Sequence, residues 1–185
     1  VRTACERIGC EYIRVVRESI PIDDDAVITE SFEEAVNILN SMEGNILVTT
    51  GSKNAADYTK LNDFQNRVYL RTLPDEQTVA ALCEMGYDRS HIITGKGPFS
   101  EAKNIDTIER TESRILVTKD SGRAGGLAEK LSAAKKCGCN VIVVRRPKDE
   151  GLSEKAAVAK LIRDSGENMD NSAESTELKK IEIKG

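Results

Sequence analysis

A strand-helix-strand unit between Ile115 and Pro147 constrains the fold of this chain most strongly. The run Ile115–Thr118 is apolar and β-branched, which predicts a buried strand. After a glycine-containing turn, apolar residues recur at the spacing of one helical face until Gly138, where the helix is expected to end. Val141–Val144 is predicted to be a second buried strand. Parallel strands joined through a helix bring the polar groups that follow them to one sheet edge, where open α/β sheets bind ligands.

The rest of the chain repeats this alternation of short apolar runs and amphipathic segments. Further strands are predicted at Tyr12–Val16, Ile46–Val48, Arg67–Leu70 and Ile92–Thr94. Helices are predicted at Arg2–Ile8, Phe32–Leu39 (after a capping box of Ser31 and Glu34), Ala55–Phe64, Asp75–Met85, Ser100–Arg110 and Glu154–Arg163, the last packed through Ala157, Val158, Leu161 and Ile162. The segment Glu18–Thr29 is predicted to be a solvated connection. This order predicts an α/β fold, a parallel sheet with helices on both faces.

Composition excludes several classes of protein. A formal net charge of −4 over 185 residues argues against a nucleic-acid binder, and no apolar run reaches membrane-spanning length. Five scattered cysteines favour reduced thiols in a cytoplasmic protein. The spacing of Cys137 and Cys139, with His91 as the single histidine, is not that of a zinc site, so no metal is predicted. The sequence leaves the oligomeric state open.

Basic residues collect in the loops that follow the predicted strands. In a parallel sheet these loops meet at one edge, and we call this set of residues the cationic rim. Its members are Lys53, Arg71, Lys96, Lys119, Arg123, Arg145 and Arg146. Such a rim suits a small molecule with several carboxylates or phosphates, held by charge-assisted hydrogen bonds. The alternative is that these residues only offset the exposed acids.

The loop after Ile115–Thr118 carries two features with open interpretations. The pattern Gly122-x-x-Gly125-Gly126 suits either an anion cradle or a tight turn, and it is not the G-x-G-x-x-G dinucleotide fingerprint. Asp120 is the one acid among the basic loops; it could donate a proton, orient a lysine or cap a helix. No Ser/His/Asp or Cys/His arrangement is visible, so hydrolytic covalent catalysis lacks its components.

Four motifs in this order resemble precorrin-6A reductase, including the enzymes that act on the cobalt form. They are T-T-G-S-K-N at Thr49–Asn54, G-K-G-P-F-S-E at Gly95–Glu101, T-K-D-S-G-R-A-G-G at Thr118–Gly126 followed by Glu129-Lys130, and V-V-R-R-P at Val143–Pro147. The resemblance covers essentially Val1–Pro147. It implies two Rossmann-like domains, with a tetrapyrrole and NADPH or NADH in the cleft between them.

The resemblance also implies an activity and a set of site residues. The reaction would be hydride delivery from the nicotinamide to the tetrapyrrole, whose acetate and propionate groups match a cationic rim. Asp120 is the candidate for proton handling. The candidates for cofactor or substrate binding are Thr50, Gly51, Ser52, Lys53, Lys119, Ser121, Gly122, Gly125, Gly126, Arg145 and Arg146.

The domain organisation follows from the same resemblance. Residues 1–30 are expected to end a first Rossmann-like domain, residues 31–166 to form the second, and residues 167–185 to form a flexible polar tail. Because Val1 is not an initiator, we expect the chain to be the carboxyl-terminal part of a longer protein. Two alternatives stay open: a non-catalytic module that binds polycarboxylates or nucleotides, and a general sugar- or phosphate-binding α/β domain.

Overall fold

The computed structural model describes residues 1–16, 20–22, 25–122, 125–145 and 151–165. Contacts divide the chain into a larger unit, residues 18–148, and a smaller unit, residues 1–17 with 149–185. The domain boundaries expected at residues 30 and 166 stay predictions, and the tail at 167–185 lies outside the described residues.

The larger unit is built on one sheet of six parallel strands. The strands are β1 (Val27–Thr29), β2 (Asn45–Val48), β3 (Val68–Thr72), β4 (Ile92–Thr94), β5 (Ser113–Lys119) and β6 (Asn140–Val144). Their order across the sheet is β1-β6-β5-β2-β3-β4, and every pairing is parallel. The predicted parallel α/β fold is therefore confirmed.

The described ranges of the chain contain eight α-helices. They are α1 (Arg2–Ile8), α2 (Phe32–Leu39), α3 (Ala55–Tyr58), α4 (Phe64–Arg67), α5 (Glu76–Glu84), α6 (Glu101–Arg110), α7 (Leu127–Lys136) and α8 (154–165). Short 3₁₀ turns lie at Ser52–Asn54 and Arg89–His91.

Alternating strand residues divide the core between the two faces of the sheet. Ile46 and Val48 of β2 belong to a cluster with residues of α2, α3 and α5, whereas Leu47 belongs to a cluster with Ile108 of α6 and Ala133 of α7. Helices therefore cover both faces, as predicted.

Local capping explains why the helix starts were predictable. The Ser31 hydroxyl accepts a 3.1 Å hydrogen bond from the Glu34 N–H at the start of α2. The Glu34 carboxylate accepts a 2.8 Å bond from the N–H of Glu30, one residue before its expected partner. Ser100 caps α6 in the same way, through the N–H of Lys103 at 3.3 Å.

Three secondary-structure predictions made from the sequence were wrong. Val27–Thr29 forms edge strand β1 on β6, although the segment that contains it was predicted to be a solvated connection. The predicted helix Ala55–Phe64 is interrupted, so that α3 ends at Tyr58 and α4 begins at Phe64. Tyr12–Val16 is not a continuous strand; Val15 alone makes an isolated bridge to Leu152. Each of these outcomes depends on partners far away in the sequence.

The smaller unit combines the two ends of the chain. Helix α1 ends at Ile8, and Gly9, with a φ of 69°, forms its left-handed cap. Lys160 of α8 forms a 2.8 Å ion pair with Glu11. Of the predicted packing face of α8, Ala157 is buried, whereas Leu161 and Ile162 remain 53% and 69% exposed, so that part of the prediction was wrong.

The strand order creates a switch point between β2 and β5. From β2 the chain continues outward through β3 and β4, and from β5 it continues in the opposite direction to β6. The connections therefore diverge from two neighbouring strands, which opens a crevice at their carboxyl ends. Most of the predicted site residues lie at or after the ends of these two strands, whereas Arg145 and Arg146 follow β6 in the sequence.

Candidate functional site

The loop after β2 is tied to β5 and leaves open space in front of its glycine. The N–H and hydroxyl of Thr49 both donate to the carbonyl oxygen of Val117, at 2.8 and 3.0 Å. Thr50 is 3% exposed, and its hydroxyl lies 3.2 Å from that of Tyr58. Gly51 has a φ of 82°, and a Cβ placed on it would meet no atom within 4 Å. A ligand group could therefore approach the backbone closely here.

The loop after β5 is fixed by a turn around Asp120. The Asp120 N–H donates to the carbonyl of Val144 at 3.0 Å, and its Oδ1 accepts from the Gly122 N–H at 3.3 Å. This second bond is the one expected of a turn-forming aspartate. The side chain takes part in a further interaction, and its predicted proton-handling role stays a prediction.

Glycines are required in this loop for steric and conformational reasons. Gly122 and Gly126 have φ values of 62° and 67°. A Cβ on Gly125 would lie 2.2 Å from Cβ and Oγ of Ser121, which no side chain tolerates. The backbone is therefore free of side chains where the loop turns into α7, an arrangement suited to an anion beside a helix start.

Two lysines flank the switch point: Lys53 follows β2, and Lys119 ends the neighbouring strand β5. Both are exposed. Partial burial of Lys119, together with the charge of Lys53, holds the pKa of the Lys119 amine below its usual value. That the rim formed by these residues binds a ligand stays a prediction.

Two further cations lie in the interior behind the loops. Arg71 is 5% exposed; its Nη1 donates a 2.8 Å hydrogen bond to Asn104 Oδ1, and its guanidinium lies 4.1 Å from the Phe99 ring centroid. Lys130 is 7% exposed and donates from Nζ to the carbonyl of Gly125 at 3.0 Å. Burial lowers the pKa of Arg71 to about 10. Burial, with the charges of Arg71 and Lys119, lowers the pKa of Lys130 to about 8.

The predicted site residues differ in their positions and contacts in the structure. Arg145 pairs with Glu30 at 2.5 Å, and its backbone N–H bonds to Thr29, so it is engaged at the β1–β6 side of the sheet. Lys96 is exposed. Arg146 and Arg123 lie outside the described residues. The predicted glycines and Lys53, Lys119 and Ser121 all lie in the two loops beside the switch point.

Sequence reasoning did not assign Lys130, Phe99 or Asn104 to the site, and it counted Arg71 only as a member of the rim. A signal for Lys130 was present, because it falls between Leu127 and Ala134 on the apolar face of α7. A lysine on such a face is rarely buried without a partner or a function.

Two polar atoms beside the glycine-rich turn remain unsatisfied. Ser121 Oγ and Glu129 Oε2 are buried and have no hydrogen-bond partner in the described part of the chain. Across the same ranges, no group of three or more His, Cys, Asp or Glu side chains is placed to hold a metal ion. Cations, backbone N–H groups and open hydroxyl capacity together suit a ligand rich in carboxylates or phosphates.

Fold and site together define a Rossmann-like α/β domain with basic residues and glycine-rich turns beside its switch point. A family model for precorrin-6x reductase (CbiJ/CobK) matches residues 1–163. The chain therefore belongs to the precorrin-6x reductase family, which confirms the resemblance seen in its motifs.

Individual relatives agree with this family. The chain is 31% identical over 177 residues to the cobalt-precorrin-6A reductase of Methanothermobacter thermautotrophicus, covering 89% of this chain and 58% of the relative. It is 31% identical over 152 residues to the cobalt-precorrin-6A reductase of Priestia megaterium, covering 80% of this chain and 59% of the relative. The chain thus spans less than two thirds of the length of these relatives.

A solved structure gives the same fold. The structure of CobK precorrin-6A reductase superposes with a TM-score of 0.66 at 19% identity, covering 88% of this chain and 66% of that one. This likeness supports the Rossmann-like architecture. None of the helices in the described ranges is long and apolar enough to cross a membrane.

Proposed function

We propose that this chain carries the binding crevice of a reductase that converts precorrin-6A, or its cobalt form, to the dihydro product in corrin-ring (vitamin B12) biosynthesis. The names of its relatives support the substrate, and the family supports a nicotinamide cofactor, NADPH or NADH. The observation that carries the proposal is the position of Lys53 and Lys119 at the carboxyl ends of β2 and β5, the neighbouring strands of the switch point, together with the buried cations Arg71 and Lys130. We further propose that the protein works in the cytoplasm.

The residues present fit two anionic ligands. The turns at Gly51, Gly122 and Gly126, with the amines of Lys53 and Lys119, would hold the phosphates of the cofactor or the carboxylates of the tetrapyrrole. The bound nicotinamide supplies the hydride, and the chain contributes binding, orientation and the exclusion of water.

Other residues of the predicted set have supporting roles in this proposal. Thr50 holds the β2 loop through Tyr58, and the backbone N–H groups of Ser52 and Ser121 would add donors. Gly125, whose own N–H donates to the Gly122 carbonyl at 3.2 Å, keeps the turn free of a side chain. Asp120 remains the candidate for moving a proton near the tetrapyrrole. Arg145 and Arg146 stay predicted ligand contacts, although Arg145 must first leave Glu30.

The domain proposal follows from the family. Residues 1–30 would complete a first Rossmann-like domain, and residues 31–166 would form the second. A second candidate function, a non-catalytic module for polycarboxylates or nucleotides, is favoured by one observation: the chain spans 58% of its first relative.

Anaerobic mixing of the chain with cobalt-precorrin-6A and reduced cofactor separates these functions. We expect loss of the near-ultraviolet absorbance of NADPH or NADH in proportion to the tetrapyrrole added, with the two cofactors compared side by side. Lys119→Ala should slow turnover, whereas Lys60→Ala, which removes an exposed surface pair with Asp57, should not. Tight binding of both ligands without cofactor oxidation would favour the module.

A further inference from the structure

Arg71 and Lys130 are buried cations for which the described part of the chain provides no ion-pair partner. They are 5% and 7% exposed. Among the described residues, no carboxylate oxygen forms an ion pair with either of them within 4.0 Å. The ion pairs of the described ranges lie instead on the surface, as between Lys103 and Asp106. Burying an unpaired charge is unfavourable, and folded proteins normally supply a counter-charge.

The two cations lie together on one face of the sheet. Arg71 leaves β3 on the side covered by α6, where it bonds to Asn104, and Lys130 belongs to α7, which packs on the same side. The charge of Arg71 is one cause of the lowered pKa of Lys130, as expected of two like charges on the same face of the sheet. Glu129 offsets part of this charge, but Lys119 adds to it.

Arg71 and Lys130 have more N–H donors than the hydrogen bonds of the described ranges use. A guanidinium has five N–H donors, and in the described part of the chain Nη1 of Arg71 is the atom that donates, to Asn104. The ammonium of Lys130 has three donors, of which one reaches the carbonyl of Gly125. The buried Ser121 Oγ beside Gly125 has no partner in those ranges.

We propose that Arg71, Lys130 and Ser121 form an oxyanion subsite beneath the Gly125–Gly126 turn, separate from the exposed Lys53–Lys119 pair. It would bind one phosphate or one carboxylate group, whose charge offsets the two buried cations and whose oxygens accept their free donors. This subsite deepens the proposed function, and it rests on that function only for the source of the oxyanion: a nucleotide phosphate or a tetrapyrrole carboxylate.

The experiment measures binding of two probes by calorimetry: inorganic pyrophosphate, and a porphyrin that carries acetate and propionate groups. We expect Lys130→Met and Arg71→Met each to weaken one of the probes by about tenfold or more, since each removes a charge-assisted contact. Lys130→Arg should keep most of the affinity. The control Lys60→Met, on the surface, should leave both affinities unchanged. Loss confined to pyrophosphate assigns the subsite to the nucleotide, and loss confined to the porphyrin assigns it to the tetrapyrrole.

Thermal unfolding without ligand distinguishes the subsite from a structural role. Removing an unpaired buried charge should raise the melting temperature of Lys130→Met while its anion affinity falls. A lower melting temperature with wild-type affinity for both probes would overturn the proposal. In the wild-type protein, NMR titration of the lysine side chains should show the lowered pKa of Lys130 rising on addition of the probe that binds; an unchanged pKa with saturating probes would also overturn it.

These measurements are independent of turnover. If both variants lose anion binding but the wild-type protein never oxidises NADPH, the subsite is supported and the reductase function is contradicted. If the wild-type protein oxidises NADPH but the Arg71 and Lys130 variants bind both probes normally, the reductase function is supported and the subsite is contradicted.

Discussion

Nη1 of Arg71 donates a 2.8 Å hydrogen bond to Oδ1 of Asn104, joining strand β3 to helix α6 in the interior. Asn104 in turn donates from Nδ2 to the carbonyls of Ser100 and Phe99, at 3.0 and 3.3 Å. The amide therefore holds a buried cation and the end of the loop that precedes α6. The same loop lies beside the glycine-rich turn, since a Cβ on Gly126 would meet Pro98 Cβ at 3.3 Å.

Asn104→Ala should destabilise the chain by about 2–3 kcal/mol, because it leaves a buried charged donor and two loop carbonyls without their partner. Denaturant unfolding measures this directly. Asn62→Ala is the matched control, since Asn62 is exposed and bonds through its backbone N–H. Equal stability of the two variants would contradict the structural role of the Arg71–Asn104 bond.

Gly125→Ala should destabilise the chain by about 1–3 kcal/mol and weaken pyrophosphate binding, because the added Cβ would overlap Ser121. Replacing Ser121 by glycine removes the atoms in the way, so the double variant Gly125→Ala/Ser121→Gly should recover part of the lost stability. Gly138→Ala tests backbone strain alone, since its φ is 67° and its Cβ would meet no atom within 4 Å. A double variant no more stable than Gly125→Ala would show that the steric explanation is wrong.

The buried amine of Lys130 predicts a stability that rises in alkaline solution. Its pKa is about 8 in the folded chain, against 10.5 for an ordinary lysine, so between these values the unfolded chain binds more protons on this group. Stability therefore increases with pH across this window, and below pH 8 the charged amine costs the fold on the order of 3 kcal/mol.

The measurement compares wild type with Lys130→Met from neutral pH to about pH 10, because the difference cancels groups that titrate in both proteins. We expect the unfolding free energy of the wild type to increase relative to that of the variant as the pH rises. A difference that stays flat would mean that Lys130 is not a titrating, unpaired cation.

Lys119 and Arg145 should differ as ligand contacts although both follow strands of the sheet. Lys119→Ala removes an amine at the carboxyl end of β5, beside the switch point, and it should weaken binding of the carboxylate-bearing porphyrin by about tenfold. Arg145→Ala removes a group already paired with Glu30, and it should change affinity by less than about twofold. Calorimetry of the two folded variants checks this order, and the reverse order would make Arg145 the stronger ligand contact.

Much of the fold was predictable because its signals are local. The β-branched runs of β2, β5 and β6 and the Ser31 and Ser100 caps need no distant partner to be recognised. Strand β1 was missed because only Thr29 of its three residues is buried, and its pairing with β6 joins distant segments.

The edge of the sheet that carries the candidate site was predictable from the sequence, but the burial and pairing of its cations were not. Loops after parallel strands share one edge by topology, so Lys53 and Lys119 lie at the carboxyl ends of the neighbouring strands β2 and β5. The sequence could not show that Arg71 and Lys130 are buried, because burial depends on how α6 and α7 pack on the sheet. Nor could it show that Arg145 is paired, since Glu30 is distant in the chain.

Joint binding at the switch-point crevice is tested most directly by calorimetric titration of the folded chain with cobalt-precorrin-6A, first alone and then with saturating NADP⁺. Hydride transfer requires both ligands at once, so we expect tetrapyrrole binding to persist when NADP⁺ is bound. Heat from neither ligand, or loss of tetrapyrrole binding on addition of NADP⁺, would contradict a crevice that holds both.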